Sequence, residues 1–236
     1  MRLLEPRLLI DINGLAELGG IAERDGTLRL GALARHSAVG ASPLVAQLAP
    51  LLHQAIPHIA HPAIRNRGTI GGSLAQADPA AELPACAVAL DAVLLLSSRR
   101  GERRVAARDF FRGLYETALA ADEIIAAVEL LAPPPGARHA FVELARRRGD
   151  YALAGLAVAE QADGLRLVYF GVGNRPVEAK GAAAALRDGA TAEHIAAAQA
   201  ALDQDLDPPG DLQADRATKR HLARVLLGRA MRALAA

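Results

Sequence analysis

A chain of 236 residues, 52% hydrophobic and 22% charged, can bury a sizeable core in one or two domains. Its 27 lysines and arginines nearly balance 26 aspartates and glutamates, so bulk charge gives no sign of a nucleic-acid partner or an anionic membrane surface. The single cysteine, Cys86, excludes an internal disulfide and any cysteine-ligated iron–sulfur cluster housed by this chain alone.

Hydrophobic patterning predicts short strands at 8–12 and 27–33, the second with Leu28, Leu30 and Ala32 on one face. Residues 42–55 open on a cap-like Ser42 followed by Pro43 and then show apolar residues at helical spacing. A second helix is expected over 79–90, with Cys86 as a small buried hydrophobe on it. Residues 92–98 and 124–131 are apolar enough for buried strands. The segment APPPGA at 132–137 can neither continue a helix nor sit in a central strand, so it separates two units, 1–132 and 138–236. The second unit reads as strands at 139–147, 153–160 and 165–172, with a turn at Asp163-Gly164, and then helices at 177–186, 191–202 and 215–234. Strands followed by helices predict a three-stranded sheet packed on helices, and the chain as a whole is expected to be α+β. No apolar run reaches membrane-spanning length, and Arg2, Glu5, Arg7 and Asp11 interrupt the first 13 residues where a signal peptide needs an apolar core. A cytoplasmic protein without membrane insertion is expected.

The most informative stretch is IRNRGTIGGSLAQAD, residues 64–78. Gly71 and Gly72 can admit backbone angles closed to other residues and let a ligand approach the main chain, so their N–H groups could converge on phosphate oxygens. Thr69 and Ser73 add hydroxyls on either side. A bare GG pair is more often an ordinary tight turn, and the flanking RNRGT and ADPAAELP favour an anion site. Over its whole length the segment IRNRGTIGGSLAQADPAAELPA resembles the second flavin loop of the FAD-binding subunits of molybdenum hydroxylases, the group that includes the medium subunit of aerobic carbon monoxide dehydrogenase and the flavin part of xanthine dehydrogenase. RRRGDYALAGLAVA, FGVGNRPVEA and DRATKRHLARVLLGRAM likewise resemble that family's C-terminal domain, so the likeness covers almost the whole chain.

The resemblance implies a vanillyl-alcohol-oxidase-like FAD-binding domain followed by a smaller α+β domain. It also implies that Thr69, Ile70, Gly71, Gly72 and Ser73 cradle the FAD pyrophosphate and that Gln76 and Glu82 contact the flavin's sugar-like portions. Ile125 would offer main-chain atoms to the isoalloxazine ring, its side chain being strand core. Relatives often have asparagine where Ser73 stands and aspartate where Glu82 stands. Family members also hold the pyrophosphate with a first, AGGT-type loop near the N-terminus. The opening MRLLEPRLLIDINGLAELGGI resembles the family's stretch just C-terminal to that loop, so Met1 reads as an interior methionine of a longer chain that lacks its N-terminal lobe here, the alternative being a protein that has shed half its flavin site; the detail kept in the second loop favours the former. Charge-assisted hydrogen bonds contribute roughly 1.5–3 kcal/mol each, so losing three or four donors would weaken FAD binding by ~10³-fold or more.

The implied function is an FAD-carrying electron-transfer subunit, loaded by two 2Fe–2S clusters of a small subunit within a complex whose large subunit carries the molybdopterin centre, with a dimer of heterotrimers as the assembly. The alternative is a flavin-free scaffold that only holds the other subunits. No catalytic side chain is required, since the redox chemistry belongs to the cofactor. Other features admit plainer readings. Glu82 could be a solvated residue in a first helical turn, and Asp78 the cap of a helix beginning near Pro79. Arg65 and Arg67 are equally readable as phosphate partners or as surface ion pairs. Arg146, Arg147, Arg148 and Asp150 form a charged run resembling a family segment near the flavin. The irregular spacing of His36, His53, His58 and His61 speaks against zinc.

Overall fold

The computed structural model describes residues 8–235, so Met1 lies outside the described residues. Residues 8–12 do not form the expected strand. They carry no strand pairing, and Leu8, Leu9 and Ile10 are exposed. The first strand is instead β1 (Ile21–Arg24), joined to β2 (Thr27–Gly31) by a two-residue turn in which Asp25 and Gly26 both have positive φ, 52° and 73°. That backbone matches the twist of a tight hairpin.

The expected 42–55 helix is broken in two. Between β2 and the next strand lie α1 (His36–Ala41), α2 (Pro43–Leu48), α3 (Pro50–Ala55), α4 (Pro62–Arg65), α5 (Ile70–Gln76) and α6 (Glu82–Ala89). Ser42 caps α2, its Oγ accepting the Val45 N–H at 3.4 Å, and Pro50 forces the break by pushing Ala49 out of helical backbone. Then follow β3 (Val93–Ser98), β4 (Gly101–Ala106), α7 (Ala107–Phe110), the small hairpin β5 (Phe111–Gly113) and β6 (Glu116–Thr117), and β7 (Ile124–Leu131). The first sheet is antiparallel with order β1-β2-β7-β3-β4.

After the proline-rich link come β8 (His139–Ala145), β9 (Ala152–Gln161), β10 (Gly164–Phe170), β11 (Val177–Glu178), α8 (Lys180–Ala185), α9 (Ala192–Asp205) and α10 (Arg216–Ala235). The expected 177–186 helix therefore starts late: Val177 and Glu178 pair with β10, which makes the sheet four-stranded, β11-β10-β9-β8, rather than three-stranded.

Alternation along this second sheet decides the architecture. Ala157, Ala159, Val168, Phe170 and Phe141 point into a core shared with β2, β3, β7 and the helices α1, α2, α3, α5 and α6. Their neighbours Leu156, Val158, Leu167, Tyr169 and Ala140 point the other way, into a core with α8–α10. Successive strand residues face opposite sides, so β9 is buried on both. The molecule is thus layered sheet, helices, sheet, helices, and the first helical layer is sealed by residues from both halves of the chain. Gly155 is forced by this packing, because a Cβ there would sit 2.0 Å from the Phe170 ring.

Candidate functional site

Helix α5 is the spine of the site. Thr69 is its N-cap, in extended backbone with φ −121°, and its Oγ1 accepts the Gly72 N–H at 3.1 Å. Gly71 and Gly72 are helical, and neither has positive φ, so the pair is not the tight turn that glycine's conformational freedom suggests. Gly71 serves close approach instead. A Cβ there would lie 2.5 Å from Ala32 Cβ and 2.8 Å from Ala32 O, and the Gly71 N–H donates to that same oxygen at 2.8 Å. At Gly72 the only atom among the described residues that a Cβ would meet within 4 Å is Thr69 Oγ1, at 2.9 Å.

The main-chain donors expected to converge on an anion already have partners. Ile70 N–H donates to Ala34 O at 3.0 Å, Gly71 to Ala32, Gly72 to Thr69 Oγ1, and Ser73 to Thr69 O at 3.0 Å. The picture of a free N–H nest is therefore corrected, and side chains are the groups left to meet an anion in this segment.

Two clefts flank α5. The first, of about 670 Å³, is lined by Thr69, Gly71, Gly72, Ser73, Gln76 and Ile125, together with an apolar wall of Ile12, Leu33, Leu119 and Ile124. The second, of about 330 Å³, is lined by Ile59, Ala60, Ile64, Asp78, Glu82 and Tyr151. Ser73 and Gln76 line both, in keeping with their spacing, because residues three apart share one helix face. The structure thus gathers Thr69, Gly71, Gly72, Ser73, Gln76 and Ile125 in one cleft and Glu82 in the adjoining one. Ile70 lines neither: its side chain is 2% exposed, in the core beneath the helix. The Ile125 side chain is also buried, on β7 opposite Leu96.

Sequence reasoning missed Asn13 and Arg35 and weighed His36 only as a metal ligand, and all three line the first cleft. Arg35 pairs with Thr69 in an isolated β-bridge, and its guanidinium donates to the Arg67 carbonyl and, at 2.7 Å, to Asn13 Oδ1. The polar pair Arg35-His36 directly after an apolar strand was the available signal. Of the weighed arginines, Arg67 lines the first cleft, whereas Arg65 staples the 59–60 turn through Ile59 O at 2.7 Å and Ala60 O at 3.1 Å. Asp78 does not cap the following helix, which begins at Glu82 with Ala81 as its N-cap. It closes a turn instead, accepting Ala80 N–H at 2.9 Å, and receives the Tyr115 hydroxyl at 3.3 Å. Arg146, Arg147 and Arg148 are exposed, on the loop that brings Gly149, Asp150 and Tyr151 to the second cleft. Gly149, with φ 86°, seats that loop against the Ala60 carbonyl, which a Cβ would approach to 2.4 Å.

The electrostatics of the clefts are set by burial. Glu82 is not solvated: it is 8% exposed, and burial first, then the neighbouring Glu143 and Asp78 carboxylates, push its pKa up to about 7. Burial likewise lowers the pKa of His36, whose ring nitrogens find no hydrogen-bond partner among the described residues. Glu123, at the rim of the first cleft, is held down to about 2, chiefly by the two-point hydrogen bond from Arg103 (2.7 Å from each nitrogen) and then by the Ala120 N–H. Tyr115 and Tyr151 are raised, by burial first and then by the Asp78 charge.

A hydroxyl pair, an amide and two guanidiniums sit between an apolar wall on one side and an exposed tyrosine with a buried acid on the other. This composition fits an elongated ligand that is anionic in part and flat and apolar in part, as FAD is.

Comparison with known proteins agrees with this fit. Residues 1–133 match the FAD binding domain in molybdopterin dehydrogenase, and residues 139–234 match the CO dehydrogenase flavoprotein C-terminal domain. The chain is 37% identical over 237 residues to the 6-hydroxypseudooxynicotine dehydrogenase complex subunit alpha of Paenarthrobacter nicotinovorans, an alignment covering 98% of this chain and 80% of that protein. It is 35% identical over 239 residues to the carbon monoxide dehydrogenase medium chain of Hydrogenophaga pseudoflava, covering 99% of this chain and 83% of that one. Among solved structures, carbon monoxide dehydrogenase from Hydrogenophaga pseudoflava superposes with TM-score 0.94 at 36% identity, over 99% of this chain and 83% of that one. Quinoline 2-oxidoreductase from Pseudomonas putida 86 does so with TM-score 0.92 at 34% identity, over 99% and 84%. A matched family over more than half the chain and relatives well above 30% identity lead to one conclusion: the chain belongs to the FAD-binding medium subunits of the molybdenum hydroxylases, subunits of multi-component oxidoreductases whose cofactor is FAD.

Proposed function

We propose that this subunit relays electrons inside its complex, taking them from 2Fe–2S clusters of a small partner subunit and passing them to an external acceptor. In this reading a large molybdopterin subunit oxidises the substrate, the assembly is a dimer of heterotrimers, and residues 1–132 and 138–236 are the flavin-binding and C-terminal domains. The carrying observation is the meeting of two clefts at Ser73 and Gln76 on α5, which gives one extended ligand two differently lined compartments.

FAD supplies the electron-transfer chemistry when bound. The chain's residues bind and orient it. Thr69 accepts from Gly72 through a lone pair and keeps its hydroxyl hydrogen for the cleft, and Ser73 adds a second hydroxyl one turn along. Arg35 and Arg67 bring positive charge to the first cleft, and Ile124, Leu119 and Leu33 exclude water from its apolar wall. Tyr151, 65% exposed at the edge of the second cleft, offers a flat face.

Co-expression with its small and large partners, followed by purification and anaerobic reductive titration, tests this reading. The expected result is a ternary complex whose flavin absorbance bleaches on substrate addition. A ternary complex that assembles without flavin would instead identify a flavin-free scaffold.

A further inference from the structure

One corner of the first cleft is open to covalent change. Asn13 and Gly14 are the central residues of an exposed turn, closed by the Leu15 N–H on the Ile12 carbonyl at 3.1 Å. The chain holds three asparagines, followed by Gly14, Arg67 and Arg175, so only Asn13 precedes a residue without a side chain. Nothing among the described residues lies within 4 Å of where a Gly14 Cβ would stand, and the Gly14 N–H makes no hydrogen bond among them. A backbone nitrogen so placed is unshielded beside the side-chain amide of the preceding asparagine, and asparagine is among the thermolabile residue types.

The amide itself is held from two sides. Its Oδ1 accepts from the Arg35 guanidinium at 2.7 Å, and its Nδ2 donates at 2.6 Å to Asp11 Oδ1, the oxygen that also takes the Asn13 N–H at 2.9 Å. A cationic donor on a carbonyl oxygen makes its carbon more electrophilic and stabilises the negative charge that gathers on the oxygen when a nucleophile adds. The same guanidinium donates to the Arg67 carbonyl, and Asn13, Arg35 and Arg67 all line the first cleft. Arg35 therefore both polarises the amide and supplies positive charge to the cleft, which couples the fate of one to the other.

We propose that Asn13 is a deamidation site, activated by Arg35, whose product carboxylate discharges the Arg35 corner of the first cleft. The consequence for ligand binding rests on the reading of that cleft as part of the flavin site, whereas the chemistry does not. Hydroxide takes the Gly14 amide proton, and the nitrogen attacks Asn13 Cγ. The new N–Cγ bond closes a cyclic imide as the Cγ–Nδ2 bond breaks, and ammonia leaves with a proton from water, which regenerates hydroxide. Water then opens the imide at either carbonyl, giving aspartate or isoaspartate. One water is consumed and one ammonia released, with no change of oxidation state. The Nδ2–H bond to Asp11 is replaced by two carboxylates facing each other, and Arg35 becomes the cation they share.

The chemistry is tested on the full chain, held for days at 37 °C and pH 8 and followed by peptide mapping. The peptide with Asn13 should gain about one dalton, while those with Asn66 and Asn174 stay unchanged as internal controls. The mass gain separates this reaction from isomerisation at the aspartate–glycine steps 25–26, 163–164 and 188–189, which leaves mass unaltered. Gly14→Val should slow the gain about tenfold or more by shielding the nitrogen. Arg35→Met should slow it about threefold or more in the folded chain, and chains unfolded in urea should react at one rate with or without Arg35. An Asn13 that keeps its mass, or one that reacts as fast or faster in folded Arg35→Met, overturns the proposal. For the consequence, FAD is titrated into the deflavinated complex. Asn13→Asp should weaken FAD binding about threefold or more and leave binding of riboflavin, which has no phosphate, as in wild type. Equal FAD affinities overturn the discharge of the corner. A complex that binds no FAD while Asn13 still deamidates overturns the flavin reading and the consequence with it, and leaves the chemistry standing.

Discussion

The two glycines of the site are expected to fail in different ways when each is replaced by alanine, and the difference arises from their surroundings. At Gly71 a Cβ would lie 2.5 Å from Ala32 Cβ, 2.8 Å from Ala32 O and 2.9 Å from Ala32 Cα, where carbon contacts normally settle at about 3.5–4.0 Å. Two of these three atoms are backbone at the end of β2, so α5 itself must retreat by about 1 Å. Overpacking of this kind costs roughly 1–3 kcal/mol, and stretching the 2.8 Å Gly71 N–H bond to Ala32 O forfeits roughly 0.5–1.5 kcal/mol more. Alanine recovers roughly 0.5–1 kcal/mol of helix preference, leaving a net loss of about 2–3 kcal/mol. At about 2–4 °C per kcal/mol for a chain of this size, Gly71→Ala should melt roughly 4–12 °C lower. Gly72→Ala meets only the Thr69 hydroxyl, which can rotate aside. It gives up a cap of about 1 kcal/mol and gains a similar helix preference, so its stability should stay within about 0.5 kcal/mol of wild type. Its methyl stands in the first cleft, however, and flavin affinity should fall. Thermal melts by circular dichroism beside flavin titration read both effects. Equal melting temperatures for Gly71→Ala and wild type would refute the close-approach reading of the pair.

Glu82 has a folded pKa of about 7 against an ordinary value near 4.5, so its contribution to stability is complete below about pH 4.5 and is lost as pH rises through 7. Up to about 3 kcal/mol is at stake, and denaturant midpoints measured from pH 5 to 9 should decline in wild type and flatten in Glu82→Gln; parallel curves would count against burial of the acid. Glu123 behaves oppositely, since its depressed pKa of about 2 gives stability that is present above about 4.5 and lost on acidification. Arg103→Met should therefore raise the pH at which acid unfolding begins, and an unshifted acid transition would dismiss the pair. Lys219 is buried, with Nζ 2.9 Å from Gly171 O and 2.7 Å from Asp211 Oδ2, and it ties the start of α10 to the loop after β10. Lys219→Ala strands a carbonyl and should cost roughly 1–3 kcal/mol in urea unfolding, and a loss below about 0.5 kcal/mol would show that the strap is dispensable.

The parts of this molecule legible in its sequence are those fixed by local chemistry. The strand pattern of residues 27–31, the capping by Ser42, the buried strands expected at 92–98 and 124–131 and the long apolar stripe of α10 each arise from local patterning within a few residues. Elsewhere a distant partner or a local steric rule decides. Pro50 splits a pattern that is helical in hydrophobicity alone, because a proline displaces the residue before it. Val177 and Glu178 are apolar and acidic enough for a helix start, yet β10 offers an open edge that recruits them. The glycine pair is the sharpest case. Its residue types announced a special backbone, but the reason is Ala32, some 40 positions away and packed against α5, and no spacing rule connects the two. The same holds for the site. Thr69, Ser73 and Gln76 share a helix face and could be read together, whereas Arg35 joins them only through a β-bridge to Thr69. Glu82 could be read as a solvated carboxylate because it falls in a first helical turn, where the dipole favours one, and it is buried because β9 and β10 come back over α6 from the second half of the chain. That return makes the acid at the second cleft a property of both halves together, so changes at the sheet face that covers α6, at Phe141 or Phe170, should move the titration of Glu82 without touching the cleft itself.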